Sequence, residues 1–274
     1  MEILERWRTS FVGTVEVMPN FAFLIPDNKN MPFDLFIPSS KLNGAKQGQK
    51  AVARVIDWNP KQKNPIAEII NVLGDPGLHD TEMHAILAEF ELPAHFTEEV
   101  ERDAEKIPAG ITEEDIRSRR DFRNIPTFTI DPSDARDFDD AISLSRLENG
   151  NWEVGVHIAD VTHYVRPGSL IEEEAKQRAT SIYLVDRVVP MLPERLSNHI
   201  CSLNPSEDKL TYGAVFEMNE KAEVLNEWFG RTIINADIRF SYNEAQEVID
   251  TGDGVMKEQI LLLHDLAQKL RAKR

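Results

Sequence analysis

The chain has 274 residues, 31 Lys and Arg against 47 Asp and Glu, and a formal net charge of −16. That length suits about two domains, and a single cysteine, Cys201, excludes an internal disulfide framework. There is no apolar run of about 18 residues and no signal-like start, which argues against membrane spanning and export and makes the cytoplasm the expected compartment.

The charge is uneven. Residues 1–74 carry nine basic and seven acidic side chains, a net of +2, and the remaining 200 residues carry a net of −18. The two parts therefore differ in kind, and only the first has the balance of a nucleic-acid-binding surface. From Phe11 to about Leu73 the sequence reads as five short apolar strands separated by turn residues: 11–17, 21–25, 33–37, 51–56 and 66–73. That spacing predicts a small closed barrel of the oligonucleotide-binding type. Phe21, Phe23 and Phe36 recur at period two and so share a face, either as a platform on which bases stack or as core filling.

Gly74-Asp-Pro-Gly ends this unit with turn residues. Residues 75–122 read as a helical connector, with Thr81, Thr97 and Thr112 as candidate caps before acidic first turns. A second, mixed α/β unit is expected over 123–274. Strands are predicted at 126–131, 141–147 and 152–159, the last two joined by a hairpin through Glu148-Asn-Gly-Asn. Helices follow at about 169–179 and 241–250, strands at 211–218 and 223–234, and apolar residues recur at helical spacing from Val255 to Arg274. The fold class expected is α+β.

Four of the five aspartates in residues 131–140, Asp131, Asp137, Asp139 and Asp140, gather at and just after the end of the strand at 126–131. Carboxylates gathered there raise one another's pKa unless a cation neutralises them. With no Cys or His in the run, the donors are all oxygen, which suits Mg²⁺ or Mn²⁺ and argues against zinc. An EF-hand loop starting at Asp137 fails, because Ala141 cannot ligate and Ile142 stands where glycine is needed. The implied chemistry is phosphoryl transfer.

Four ordered segments carry a family resemblance. They are Thr129-Ile-Asp-Pro-Ser-Asp-Ala-Arg-Asp-Phe-Asp-Asp-Ala, His157-Ile-Ala-Asp-Val-Thr-His-Tyr-Val, Val188-Val-Pro-Met-Leu-Pro-Glu-Arg-Leu-Ser and Cys201-Ser-Leu-Asn-Pro. Together they resemble the opening half of the ribonuclease II catalytic domain, in its ribonuclease R branch. Phe21-Ala-Phe-Leu-Ile-Pro-Asp and Asp34-Leu-Phe-Ile-Pro are similar to a cold-shock barrel of the same enzymes. The resemblance implies a 3′-to-5′ exoribonuclease that hydrolyses single-stranded RNA to nucleoside 5′-monophosphates with Mg²⁺. Asp131 and Asp140 match the positions that hold a first magnesium. Asp137 and Asp139 match those that complete the acidic centre and help to place a second ion and the attacking water. Tyr183 matches a tyrosine that clamps the 3′-terminal nucleotide.

The family also uses an arginine, a glutamate and a further aromatic beyond the segments matched here, together with other barrels. The chain is therefore expected to be a piece of a longer enzyme, nearly inactive alone, with self-association or a strained end after about Val255. The alternative reading is a non-catalytic RNA-binding module. His157, His163 and Cys201 are expected to pack. Asp160 is expected either to support the acidic centre or to cap a turn.

Overall fold

In the computed structural model, which describes residues 9–58, 63–93 and 95–273, the chain divides into two compact units, Met1–His95 and Phe96–Arg274. The first is built on β1 (Ser10–Val17), β2 (Phe21–Pro26), β3 (Leu35–Pro38), β4 (Lys50–Asp57) and β5 (Ile66–Gly74). They form a closed barrel in the order β1-β2-β3-β5-β4, with β4 pairing back onto β1. Period-two alternation explains its core. Ala22, Leu24, Leu35 and Ile37 point inward and are fully buried, so Phe21, Phe23 and Phe36 face outward. The helix α1 (His79–Glu89) lays Ala85 and Ala88 against Val12, Val52 and Leu73 of the barrel. Thr81 does not cap it. The Glu82 carboxylate accepts the Gly77 N–H at 2.8 Å, which starts the helix earlier and leaves Thr81 buried within its first turn.

The second unit opens with α2 (Glu98–Lys106) and α3 (Glu113–Arg117), capped by Thr97 and by a reciprocal Thr112–Asp115 box. Then come β6 (Arg120–Asp121), β7 (Thr127–Asp131), β8 (Asp140–Arg146) and β9 (Trp152–Ala159). Next are α4 (Val161–Tyr164), α5 (Leu170–Arg178), β10 (Ile182–Tyr183), β11 (Val188–Val189) and a π-helical segment, Arg195–Ile200. The unit continues with β12 (Asp208–Met218), β13 (Val224–Asn235), β14 (Ile238–Ser241), α6 (Tyr242–Thr251) and α7 (Lys257–Ala272). Seven strands make one sheet in the order β14-β7-β8-β9-β12-β13-β6; its inner pairs are antiparallel, and the two edge pairs, β14 with β7 and β6 with β13, are parallel. The β8–β9 hairpin matches the sequence reading.

Apolar clusters lie on both faces of the sheet. On one side Phe122, Phe138, Ala141, Ile171, Leu196 and Val215 form the main core. On the other, α6 and α7 pack Val248, Ile260 and Leu266 over Phe128, Leu144 and Val154. The stretch after Val255 contains a regular 16-residue helix, entered through Met256 at φ 52°. Arg274 lies outside the described residues. Among them, no helix is long and apolar enough to cross a membrane.

The main core is not wholly apolar. His157 is fully buried, with its ring nitrogens 2.9 Å from Ser143 Oγ and 3.1 Å from Thr232 Oγ1. Gly155 and Gly213 make room for it: a Cβ would stand 2.6 Å from the imidazole Nε2 at Gly155 and 3.2 Å from Nδ1 at Gly213. Burial first, and then the Arg120 charge, push its pKa from 6.5 down to about 4. As pH falls through 6.5 the unfolded chain therefore takes up a proton that the folded chain refuses. Stability present above pH 6.5 is lost down to about pH 4, by an amount on the order of 3 kcal/mol. Denaturant titrations across that range should show this slope in the wild type and its loss in His157→Gln; an unchanged slope would refute it.

Beside it, Arg119 donates to Asp160 Oδ2 at 2.6 Å and to the Thr211 carbonyl at 3.0 Å. Burial alone would raise the Asp160 pKa, but hydrogen bonds from Thr162 and Arg119 hold it below the usual range. Asp160 thus serves a buried ion pair rather than the aspartate cluster or a side-chain cap.

Candidate active site

Antiparallel pairing of β7 with β8 returns the chain to the edge from which it left, so Asp131, the last residue of β7, and Asp140, the first of β8, share one end of the sheet. Residues 132–139 bridge them. Phe138 anchors that bridge: its side chain is buried in the main core, its N–H donates to Ser202 Oγ at 3.0 Å and its carbonyl accepts the Leu203 N–H at 2.8 Å. The Ser202 hydroxyl donates in turn to the Arg136 carbonyl at 2.9 Å. With Phe138 pinned inward, Asp137 and Asp139 on either side of it are turned toward solvent.

Asp139 and Asp131 feel the carboxylates around them. Desolvation and then the charges of Asp137, Asp140 and Asp131 raise the Asp139 pKa. Its outer edge is open to water, but the surrounding protein displaces solvent from the rest of the group. Asp131 is also raised, first by desolvation and then by Asp140 and Asp137, against lowering by the nearby Thr129 hydroxyl, which does not reach hydrogen-bonding geometry, and by the Arg239 charge. One of its oxygens, Oδ2, is buried without a hydrogen-bond partner. Among the described residues no group of three or more His, Cys, Asp or Glu side chains is placed so that it could hold a metal ion, so the four carboxylates share one end of the sheet without converging on a common point. An orphaned buried oxygen on Asp131, an all-oxygen donor set and the raised pKa values of Asp131 and Asp139 suit a hard divalent cation.

Tyr183, from β10, joins the cluster. Its hydroxyl donates to Asp137 Oδ2 at 2.6 Å, while 64% of the residue remains exposed. That hydrogen bond, with desolvation, pushes the phenol up to about 12, so it stays neutral at physiological pH. Asp137 and Tyr183 border a cavity of about 550 Å³ that also includes Arg136, Val185 and Arg187. Cys201 is buried and its thiol is pushed up to about 12 by desolvation, which makes it a packing residue rather than a nucleophile.

In the barrel, the Phe21, Phe23 and Phe36 rings touch one another with centroids 5.4–5.9 Å apart. Their half-buried, outward position rules out the core-filling alternative. Two residues that contact the aspartate loop, Ser202 and Arg239, were not singled out by sequence reasoning. Ser202 lies in a motif noted for resemblance, but a side chain bonding to a distant backbone leaves no spacing pattern.

Comparisons with known proteins agree with this architecture. The RNB domain family model matches residues 119–274, and the cold shock domain model matches residues 23–97. Ribonuclease R of Thermotoga maritima is 37% identical over 281 residues, an alignment covering 100% of this chain and 40% of that protein. The chain therefore spans well under half the length of that relative. The structure of Mycoplasma genitalium RNase R in complex with ribose-methylated single-stranded RNA matches with a TM-score of 0.91 at 25% identity, covering 100% of this chain and 44% of that one. Yeast Ssd1, described as a pseudonuclease, shares the fold with a TM-score of 0.81 at 22% identity, covering 99% of this chain and 35% of that one.

Proposed function

The chain belongs to the RNB-domain family of ribonuclease R-type exonucleases, and from that premise we propose that it supplies the carboxylate centre of a 3′-to-5′ exoribonuclease acting on single-stranded RNA. The observation that carries this reading is the gathering of Asp131, Asp137, Asp139 and Asp140 at one sheet end, with an unpartnered buried oxygen on Asp131. These four would hold Mg²⁺ or Mn²⁺ in a two-metal centre. Bound there, the cation would lower the pKa of an attacking water and offset charge on the scissile phosphate, giving nucleoside 5′-monophosphates.

The remaining work falls to the chain's own groups. Phe138 and its bonds to Ser202 and Leu203 fix the directions of Asp137 and Asp139. Tyr183 presents an exposed, uncharged ring beside Asp137, which suits stacking on a terminal base without reading its identity. Such stacking is sequence-tolerant, as progressive degradation requires.

The barrel is proposed as an RNA-binding platform through Phe21, Phe23 and Phe36. Replacing any one by Ala should weaken oligo-RNA binding by about 1 to 3 kcal/mol. Because the rings lie outside the core, melting should change little. Variants that lose binding only by melting early would contradict the assignment.

The fold shared with a pseudonuclease keeps a second reading in view, that of an RNA-binding module without turnover. The two separate on RNA labelled at its 5′ end. The exonuclease reading requires a longer protein containing this chain to shorten the RNA from its 3′ end in Mg²⁺, and requires Asp140→Asn to stop it while binding persists. Binding without shortening by the wild type would favour the second reading. The compartment proposed is the cytoplasm. Ile158, Tyr212 and Phe229 stay exposed on the sheet, which supports self-association of the isolated chain.

A further inference from the structure

An arginine from the edge of the sheet reaches the aspartate loop. β14 runs parallel to β7 with Arg239 beside Thr129 and Ser241 beside Asp131. Arg239 Nη2 donates to the carbonyls of Pro132 at 2.6 Å and Ser133 at 2.8 Å. Its guanidinium also lies 5.2 Å from the centroid of the Phe138 ring. One side chain thus grips the start of the loop and leans on the anchor near its end. The Pro132 carbonyl that it holds also accepts the Ala135 N–H at 3.1 Å, closing the loop's first turn. Ser202 closes the other end through Arg136 and Phe138. Where β7 meets β14, three buried polar atoms lack a hydrogen-bond partner: Thr129 Oγ1, Asp131 Oδ2 and Arg239 Nε.

We infer that Arg239 is a positioning residue for the cation centre: by holding the Pro132 and Ser133 carbonyls and the Phe138 ring, it sets the shape of the 132–139 loop and the aim of Asp131. Ser202 is its counterpart at the far end. The inference rests on the four aspartates being the cation site. A planar guanidinium can serve two adjacent carbonyls and face an aromatic ring at once, whereas a lysine ammonium cannot do all three.

The electrostatic sign makes the inference testable. A fixed positive charge near a cation site opposes cation binding. If Arg239 acted through charge alone, removing it would tighten the binding of a divalent ion. If it positions the ligands, removing it weakens binding, as loss of a residue that orients metal ligands does, by about 10- to 100-fold.

The test is Mn²⁺ binding to the 274-residue chain, followed by the electron paramagnetic resonance of the free ion, together with amide hydrogen exchange without cation. Arg239→Met is expected to weaken Mn²⁺ binding about 10- to 100-fold, to speed exchange of the Ala135 and Phe138 amides, and not to be rescued by Arg239→Lys. Ser202→Ala should act in the same direction. Val248→Ala, which loosens the packing around Phe240 without touching the loop, should lower melting and leave Mn²⁺ binding as in the wild type. Unchanged or tighter binding by Arg239→Met, or full rescue by lysine, would overturn the inference. Should Arg239→Met fail to fold, Arg239→Lys alone decides it, by weakened or wild-type binding. If Asp139→Asn/Asp140→Asn binds Mn²⁺ as the wild type does, the cation assignment itself fails. The exchange rates then judge the loop-holding role, and unchanged rates would refute it.

Discussion

Residues 1–274 alone should degrade oligo-RNA at least about 10²-fold more slowly than a longer protein of this family that contains them. The carboxylates at the β7–β8 end are proposed to hold a cation and to orient water around it. The resemblance, however, assigns part of the transition-state charge stabilisation to an arginine, and part of the 3′-end grip to a glutamate, in family segments that these residues do not include. Loss of one preorganised donor costs about 10² to 10³ in rate, and donors acting as a unit are not additive. RNA binding should survive better than turnover, since Tyr183 and the barrel rings are present. Single-turnover assays of both proteins in Mg²⁺ check this, and comparable rates would show that the machinery is already complete here.

Saturating Mg²⁺ should stabilise the chain markedly, and Asp139→Asn should stabilise it in the absence of the ion. Both follow from one cause. Asp139 and Asp131 have raised pKa values, by desolvation first and by neighbouring carboxylates second, so at neutral pH their ionised forms oppose folding. A folded-state pKa above the unfolded value means that stability from these groups rises as pH falls through it. That direction is opposite to the one expected for His157. A cation at 100 times its dissociation constant adds about 2.7 kcal/mol. Thermal melts should therefore rise with Mg²⁺ in the wild type, start higher in metal-free Asp139→Asn and respond less to the ion there. A metal-free Asp139→Asn chain less stable than the wild type would contradict the repulsion argument.

Much of this was legible in the sequence because its signals are local. Five short apolar segments separated by turn residues specified the barrel, and one Asn-Gly turn specified the β8–β9 hairpin. The aspartates lie on two strands and the loop between them, so chain proximity made them spatial neighbours whatever the rest of the fold. What could not be read depends on distant pairing. Arg239 meets the loop only because β14 adds to the sheet edge beside β7, more than a hundred residues away in sequence. The Arg119–Asp160 pair needs β9, β12 and β13 to be assembled around it. Thr81 misled for a different reason: a glutamate reaching back to Gly77 fixed the start of α1 ahead of the residue with the best capping side chain. Tyr183 was placed by family likeness alone, since nothing in Ser-Ile-Tyr-Leu signals a hydrogen bond to Asp137, 46 residues away.

Asp131, Asp137, Asp139 and Asp140 are the proposed site of a divalent cation. Titration calorimetry of Mg²⁺ into the 274-residue chain and into its Asp139→Asn/Asp140→Asn variant tests this most directly. The account predicts saturable binding by the wild type that the double variant loses, and equal binding by the two proteins would contradict it.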